Sequence, residues 1–379
     1  MTVDDPIQFI DLRAQQDRLQ PQIEQAIKKV LAHGSYILGP EVAELERALA
    51  EFSGAKHVVT CASGTEALLM ALMALGVRPG DAVFIPSFTF VATAEVVVLL
   101  GATPVFVDVK EADFLISISS LEAAIDEAKK RSLRPRVVIP VDLFGQPLDY
   151  REVDDIARAF DLHVIADAAQ SFGGARAGRR VGTLAPITAT SFFPAKPLGC
   201  YGDGGALFTA DAEMALVLRS LRVHGQSKNK YDNVRIGING RLDTLQAAIL
   251  IEKLRIFADE IEARQCVAQR YNQALNDIVK TPAVAGNAIS AWAQYTLRVA
   301  QRDRVVASLK EKRVPTAIYY PKPLHCQTAY LNYPTSPGGL SVSEKLAGEV
   351  MSLPMHPYLE PKVQEYIIES VREVVGDSA

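Results

Sequence analysis

Through the first two-thirds of the chain, short continuous apolar runs alternate with stretches whose apolar residues recur at helical spacing. His57 to Cys61 reads as a buried strand, and Thr65 to Leu75 as an apolar helix closed by Gly76. The pattern next predicts a strand over Ala82–Ile85, a helix over Phe90–Leu100 and a strand over Thr103–Val107. A strand over Arg136–Val141, a helix over Asp149–Phe160 and a strand over His163–Ala166 follow. Strands over Ile187–Phe192 and Gly205–Thr209 complete the set. Strands that are apolar on both faces and separated by helices call for a mostly parallel sheet covered on both sides. The fold class is α/β.

The flanks read differently. Pro40 to Phe52 forms an amphipathic helix, with Pro40 at its start and Gly54 just past its end. Arg241 to about Leu275 reads as one long helix whose Leu242, Leu245, Ala248, Ile249 and Leu254 form a buried stripe. Beyond it come a strand over Gln294–Val299, a helix over Arg302–Lys312 and two helical stretches near the end. These patterns divide the chain into a large α/β domain, residues 1–255, and a smaller α+β domain, residues 256–379. Residues 1–30 are expected to form an arm that packs on the small domain.

Composition narrows the class. The 379 residues are 49% hydrophobic and 22% charged, which suits a globular protein and excludes wholesale disorder. The formal charge of −4 argues against a nucleic-acid partner. The local basic cluster Lys129, Lys130, Arg131, Arg134 and Arg136 reads as a solvated helix end. Four well-separated cysteines suit a reducing compartment and suggest neither a disulfide framework nor a zinc site. The start, Met1 to Pro6, carries no signal-peptide pattern, and Val96 to Val107 is broken by Gly101 and Pro104 and too short to span a bilayer. A cytoplasmic protein with no membrane segment is expected.

Four loop segments follow predicted strands, where ligands gather in open α/β sheets. Ser63-Gly64-Thr65 links a strand to a helix; it reads either as an anion cradle or as an ordinary helix cap made by Ser63 or Thr65. Asp167 ends the strand at Ala166 and is either a helix cap or a functional acid. Lys196 stands between Pro194 and Pro197 among apolar residues, where burial lowers an amine's pKa and suits it to Schiff-base chemistry. Gly202 to Gly205 is a glycine-dense turn, which also fits a plain hairpin. A phosphate cradle, an acid and a desolvated lysine together match what pyridoxal phosphate requires. The six histidines have no ligand spacing, so no metal is expected.

The same segments resemble a known family. Ser191-Phe-Phe-Pro-Ala-Lys196-Pro-Leu-Gly-Cys-Tyr-Gly-Asp-Gly-Gly-Ala206 resembles the lysine segment of the DegT-type, pyridoxal-phosphate-dependent nucleotide-sugar aminotransferases. The likeness includes Cys61-Ala-Ser-Gly-Thr65, Pro86-Ser-Phe-Thr-Phe90, Ile165-Ala-Asp-Ala-Ala-Gln170, Gly237-Ile-Asn-Gly-Arg-Leu-Asp243 and Met351-Ser-Leu-Pro-Met-His-Pro-Tyr358. It implies the aspartate-aminotransferase fold (fold type I) and the following roles. Lys196 would bind the cofactor aldehyde and shuttle the proton, and Asp167 would pair with the ring nitrogen. Gln170 would bond the ring hydroxyl, and Phe88 would stack on the ring. Gly64, Thr65 and Ser191 would bind the phosphate, completed by Asn239 from a second subunit, so that the active unit would be a homodimer.

One branch of the family dehydrates sugars and carries histidine in place of the lysine; Lys196 favours amino transfer. The resemblance runs closest to the subgroup that aminates C3 of a UDP-linked 3-keto-N-acetylglucosaminuronic acid, with L-glutamate as donor, for bacterial surface polysaccharides such as lipopolysaccharide O-antigen. A uronate carboxylate suits a guanidinium, which makes Arg241 a candidate, unless it caps the long helix or pairs with Asp243. Tyr319 and Tyr320 are candidates for sugar contact, although the family often has His-Tyr-Pro, so Tyr319 departs from its pattern. Alternatives are amination at C4 of a 4-keto-6-deoxy nucleotide sugar, a sugar dehydratase, or a non-catalytic, regulatory pyridoxal-phosphate binder.

Overall fold

The computed structural model describes residues 6–229 and 231–376; the acidic start Met1–Asp5, on which the signal-peptide reading partly rests, lies outside them. Seven strands make the central sheet: β1 (His57–Cys61), β2 (Asp81–Pro86), β3 (Thr103–Val107), β4 (Arg134–Val138), β5 (His163–Asp167), and, after two short strands β6 (Ala175–Arg176) and β7 (Arg179–Arg180), β8 (Ile187–Ser191) and β9 (Gly205–Thr209). Their spatial order is β1-β9-β8-β5-β4-β2-β3. Neighbours from β8 to β3 pair in parallel, and β9 runs antiparallel to both β8 and β1. The α/β expectation holds, and the sheet is parallel except for β9.

Helices cover both faces because the strands are apolar on both faces. One core cluster joins the sheet to α3 (Gly64–Ala74), α4 (Ala92–Leu99) and α7 (Ala212–Leu221), through Leu68, Val96, Leu218 and Ile165. The opposite cluster joins it to α5 (Ile118–Lys130) and α6 (Tyr150–Phe160), through Leu121, Ile125, Val153 and Phe84. Lys129 and Lys130 do end α5, but Arg136 turns inward and donates to the Leu75 carbonyl at 2.8 Å.

Three elements depart from expectation. β4 begins two residues earlier, at Arg134, and its ladder stops at Val138, because Pro140 offers no N–H to continue it. The long helix α8 starts at Thr244, since Asp243 is still extended (φ −67°, ψ 141°). A 22-residue helix α1 (Leu12–His33), unforeseen as a helix, precedes α2 (Pro40–Ser53) despite Pro21 inside it. Its buried Leu19 and Ile23 meet Ile249 of α8 (Thr244–Leu275).

The C-terminal part combines the short β10 (Ala288–Ile289), the antiparallel pair β11 (Tyr295–Arg298) and β12 (Val350–Leu353), and helices α9 (Arg302–Glu311), α10 (Ser341–Glu349) and α11 (Pro361–Gly376). It has its own core, in which Tyr271, Tyr295, Leu309 and Ile367 are fully buried. α8 serves both cores: Leu250, Phe257 and Ile261 pack with the sheet, whereas Val267, Tyr271 and Leu275 pack with the C-terminal cluster. Among the described residues no helix is long and apolar enough to cross a membrane.

Candidate active site

The parallel strands deliver their C-terminal ends to one edge of the sheet, and the chemistry collects there. Asp167 is the last residue of β5 and is buried. Its Oδ2 accepts from Thr93 Oγ1 at 2.8 Å, and its Oδ1 accepts from the Ala169 N–H at 3.2 Å. Burial pushes this carboxyl above the usual range, while Thr93, the Ala169 N–H and the nearby Lys196 ammonium pull it back. The reading of Asp167 as a plain helix cap finds no helix: residues after it form turns.

Lys196 lies in the connection between the antiparallel β8 and β9, so Gly202 to Gly205 closes a long hairpin. Its N–H donates to the Phe193 carbonyl at 2.8 Å in a tight turn. That turn is held from below by Lys253, whose Nζ donates to the Gly199 carbonyl at 2.7 Å. Gly199 has no alternative, because a Cβ there would fall 2.4 Å from the Pro194 carbonyl oxygen. Burial lowers the Lys196 amine below its ordinary range, opposed by the Asp167 charge. Lysine and aspartate thus share one low-dielectric site. Ile10, Asp11, His356 and Tyr358 line a crevice with Lys196, which brings the N-terminal segment and the C-terminal core to the same place.

The cradle is built at the N-terminus of α3. Ser63 caps the helix, its Oγ accepting from the Glu66 N–H at 3.1 Å, so the cap reading of that serine holds. The Gly64 and Thr65 N–H groups take no intrachain acceptor among the described residues. Ser191 stands against them: a Cβ on Gly64 would lie 2.6 Å from Ser191 Cβ. Two free N–H groups, a helix dipole and a serine hydroxyl make a site for a phosphate dianion. Cap and cradle are therefore compatible, since they use different donors.

Gln170 is buried; its Oε1 accepts from the Phe144 N–H at 2.6 Å, and its Nε2 donates to the Tyr320 hydroxyl at 3.2 Å. Tyr320 also packs edge-on against Phe88 and tilted against Phe90, each at a centroid distance of 6.3 Å. Tyr319 sits beside it, with Phe9 on its other side.

The expectation that Phe88 offers its face to a cofactor ring does not survive the geometry. Phe88 is fully buried, enclosed by Phe114, Phe144 and Tyr320. Phe90, two residues on, is 53% exposed and is the aromatic ring of this segment with an open face.

Arg241 neither caps α8 nor pairs with Asp243 among the described residues: its Nε is buried without a partner, and Asp243 makes no side-chain cap bond. Asn239 is exposed, at the end of a segment that also exposes Val234 and Ile236. Two further residues escaped sequence reading. Thr93 lies inside an apolar helix with nothing to mark it. Asp142 follows β4 much as Asp167 ends β5, a signal that could have found it. It accepts from the Leu148 N–H and Tyr150 hydroxyl at 2.9 Å and from Ser171 at 2.7 Å, and burial pushes it up to about 7.

A parallel-rich α/β sheet that gathers a lysine, a buried acid and a helix N-terminus with free N–H groups at its strand ends suits a pyridoxal-phosphate enzyme. A model of the DegT/DnrJ/EryC1/StrS aminotransferase family matches residues 17–372, and the chain belongs to that family. It is 51% identical, over 93% of its length and 96% of the relative's, to a Pseudomonas aeruginosa protein named UDP-2-acetamido-2-deoxy-3-oxo-D-glucuronate aminotransferase. Its structure resembles a DegT/DnrJ/EryC1/StrS aminotransferase from Brucella abortus with a TM-score of 0.96 and 54% identity, covering 98% of this chain and all of that one. It also resembles NtdA from Bacillus subtilis, described with bound cofactor PMP, with a TM-score of 0.88 and 28% identity, covering 98% of this chain and 85% of that one.

Proposed function

We infer that the protein uses pyridoxal 5'-phosphate and L-glutamate to aminate C3 of UDP-2-acetamido-2-deoxy-3-oxo-D-glucuronic acid, for assembly of a bacterial surface polysaccharide. The observation that carries the chemistry is the half-buried Lys196, its amine lowered by desolvation, coupled to the buried Asp167 carboxylate beside an anion cradle. The substrate rests on the 51% identical relative and its printed name. When bound, the cofactor supplies an electron sink that stabilises negative charge on the substrate carbon.

The chain's own residues do the rest. Gly64, Thr65 and Ser191 bind the phosphate. Asp167 holds a proton on the ring nitrogen, and Thr93 steadies that carboxylate. Gln170 would offer the second hydrogen of its Nε2 to the ring hydroxyl. Phe90, in place of Phe88, covers the ring. Lys196 binds the cofactor and, as a neutral amine, takes and returns the proton at the reacting carbon. Arg241 receives the uronate carboxylate, consistent with its unpartnered Nε, and Tyr319 and Tyr320 face the sugar.

The active unit is a homodimer in which Asn239 completes the partner's phosphate site. The exposed Val234 and Ile236 (87% exposed) support this, since such apolar side chains favour a covered surface. A division near 255/256 into a large and a small domain is supported by α8, whose Leu250, Phe257 and Ile261 pack with the sheet and whose Val267, Tyr271 and Leu275 pack with the C-terminal cluster.

The test offers the holoenzyme and glutamate two sugars: the UDP-linked 3-oxo-glucuronate and a 4-keto-6-deoxy nucleotide sugar. Product NMR showing amination of the first alone supports the reading. Turnover of the second alone discards the substrate and the Arg241 role.

A further inference from the structure

Away from Lys196, folding brings together three side chains that the sequence keeps apart. His325 and Cys326 are neighbours in a short 3-10 turn, and Glu344 comes from α10. The His325 Nε2 lies 3.1 Å from Glu344 Oε1 and 3.3 Å from Cys326 Sγ, and all three donor atoms fall within 4.8 Å of one another. We propose that His325 Nε2, Cys326 Sγ and the Glu344 carboxylate form a site for a borderline-soft divalent cation, zinc above all, with a fourth position open to water.

The distances carry the argument. Ligand atoms about 2.0–2.3 Å from one tetrahedral zinc lie roughly 3.2–3.6 Å from each other. The separations of His325 Nε2 from Glu344 Oε1 and from Cys326 Sγ, 3.1 and 3.3 Å, sit close to that range, and the exposed Glu344 carboxylate is free to close on the sulfur from within 4.8 Å. One nitrogen, one sulfur and one oxygen ligand suit zinc better than magnesium or calcium, which take oxygen.

The surroundings support it. The other ring nitrogen of His325, Nδ1, lies 2.7 Å from Ser87 Oγ. That serine oxygen also accepts the His325 backbone N–H at 3.2 Å. Ser87 Oγ can accept from Nδ1–H once a cation replaces the proton on Nε2, the usual outer support of a ligating histidine. The His325 side chain is 12% exposed and that of Glu344 57%, so the ring is held in place while the carboxylate leaves an entry path.

Binding forms one sulfur–metal bond and breaks the Cys326 S–H bond, with the proton passing to solvent. Ser87 begins the segment that carries Phe88 and Phe90, so an occupied site would also brace the aromatic side of the active site.

The holoenzyme, stripped with a chelator and titrated with zinc chloride, tests this. Native mass spectrometry should find one zinc per chain, and zinc X-ray absorption should show a single sulfur among nitrogen and oxygen ligands. Cys326→Ser and Glu344→Gln, both chosen to keep the fold, should each weaken binding at least about tenfold. Cys266→Ser, altering an exposed cysteine elsewhere, should leave it unchanged. No bound zinc, a shell without sulfur, or a sulfur lost with Cys266→Ser and kept in Cys326→Ser would overturn the proposal.

Discussion

Thr93 and Asp167 are joined by a 2.8 Å hydrogen bond from the threonine hydroxyl to the carboxylate, which ties α4 to the end of β5 inside the core. A bond to the ionised form favours ionisation, and here it works against burial. In the proposed site the threonine would thereby help Asp167 hold a proton on the cofactor ring nitrogen rather than on itself. Thr93→Val keeps the shape and removes the bond. Turnover should fall about ten- to a hundredfold, as expected for a bond of roughly 1.5–3 kcal/mol to a charged group, with unchanged circular dichroism. Unchanged turnover in the folded variant would remove Thr93 from the account.

Phe88 and Phe90 should separate stability from cofactor binding. Phe88→Ala empties a fully buried aromatic site and should destabilise the apoprotein by about 3–5 kcal/mol. Phe90→Ala should leave apoprotein melting nearly unchanged and raise the dissociation constant for pyridoxal phosphate about tenfold. Melting scans and cofactor titration decide, and the reverse pattern would restore Phe88 as the ring-facing residue.

Asp142 makes stability depend on pH. Its folded value of about 7 exceeds its unfolded value of roughly 4, so the folded state binds the proton more tightly over that window. The contribution is fully present below about pH 4 and is lost as pH rises through 7. Asp142→Asn should flatten the fall in melting temperature between about pH 4 and 7. An equally steep fall in the variant would place its cause elsewhere.

Arg241→Gln should raise KM for the uronate sugar about ten- to a hundredfold, the scale of a lost charge-assisted contact. The KM for glutamate should stay within about twofold. A rise for glutamate alone would move the arginine to the donor's carboxylate.

Much of this was legible before folding. Asp167 and Lys196 stood out because each interrupts or follows an apolar strand where a charge is expensive. The two phenylalanines show where such reading stops. Residues two apart in Pro86-Ser-Phe-Thr-Phe90 look equivalent along the chain, and only packing shows that Phe88 turns inward and Phe90 outward. α1 was hidden by Pro21 and by many polar residues, since its burial depends on Ile249 far along the chain. Glu344 meets His325 only because α10 folds back, with Asp108 accepting the Ser343 N–H at 2.8 Å. No sequence spacing encodes such long-range meetings.

The most direct measurement is the first half of the reaction, followed in the wild type and in Lys196→Ala. With pyridoxal phosphate bound, glutamate should bleach the near-visible absorbance of the wild type and release one 2-oxoglutarate per site. Lys196→Ala should fold and retain cofactor, yet form 2-oxoglutarate more than roughly a thousandfold more slowly. Wild-type-like formation of 2-oxoglutarate by the folded Lys196→Ala protein would contradict the account.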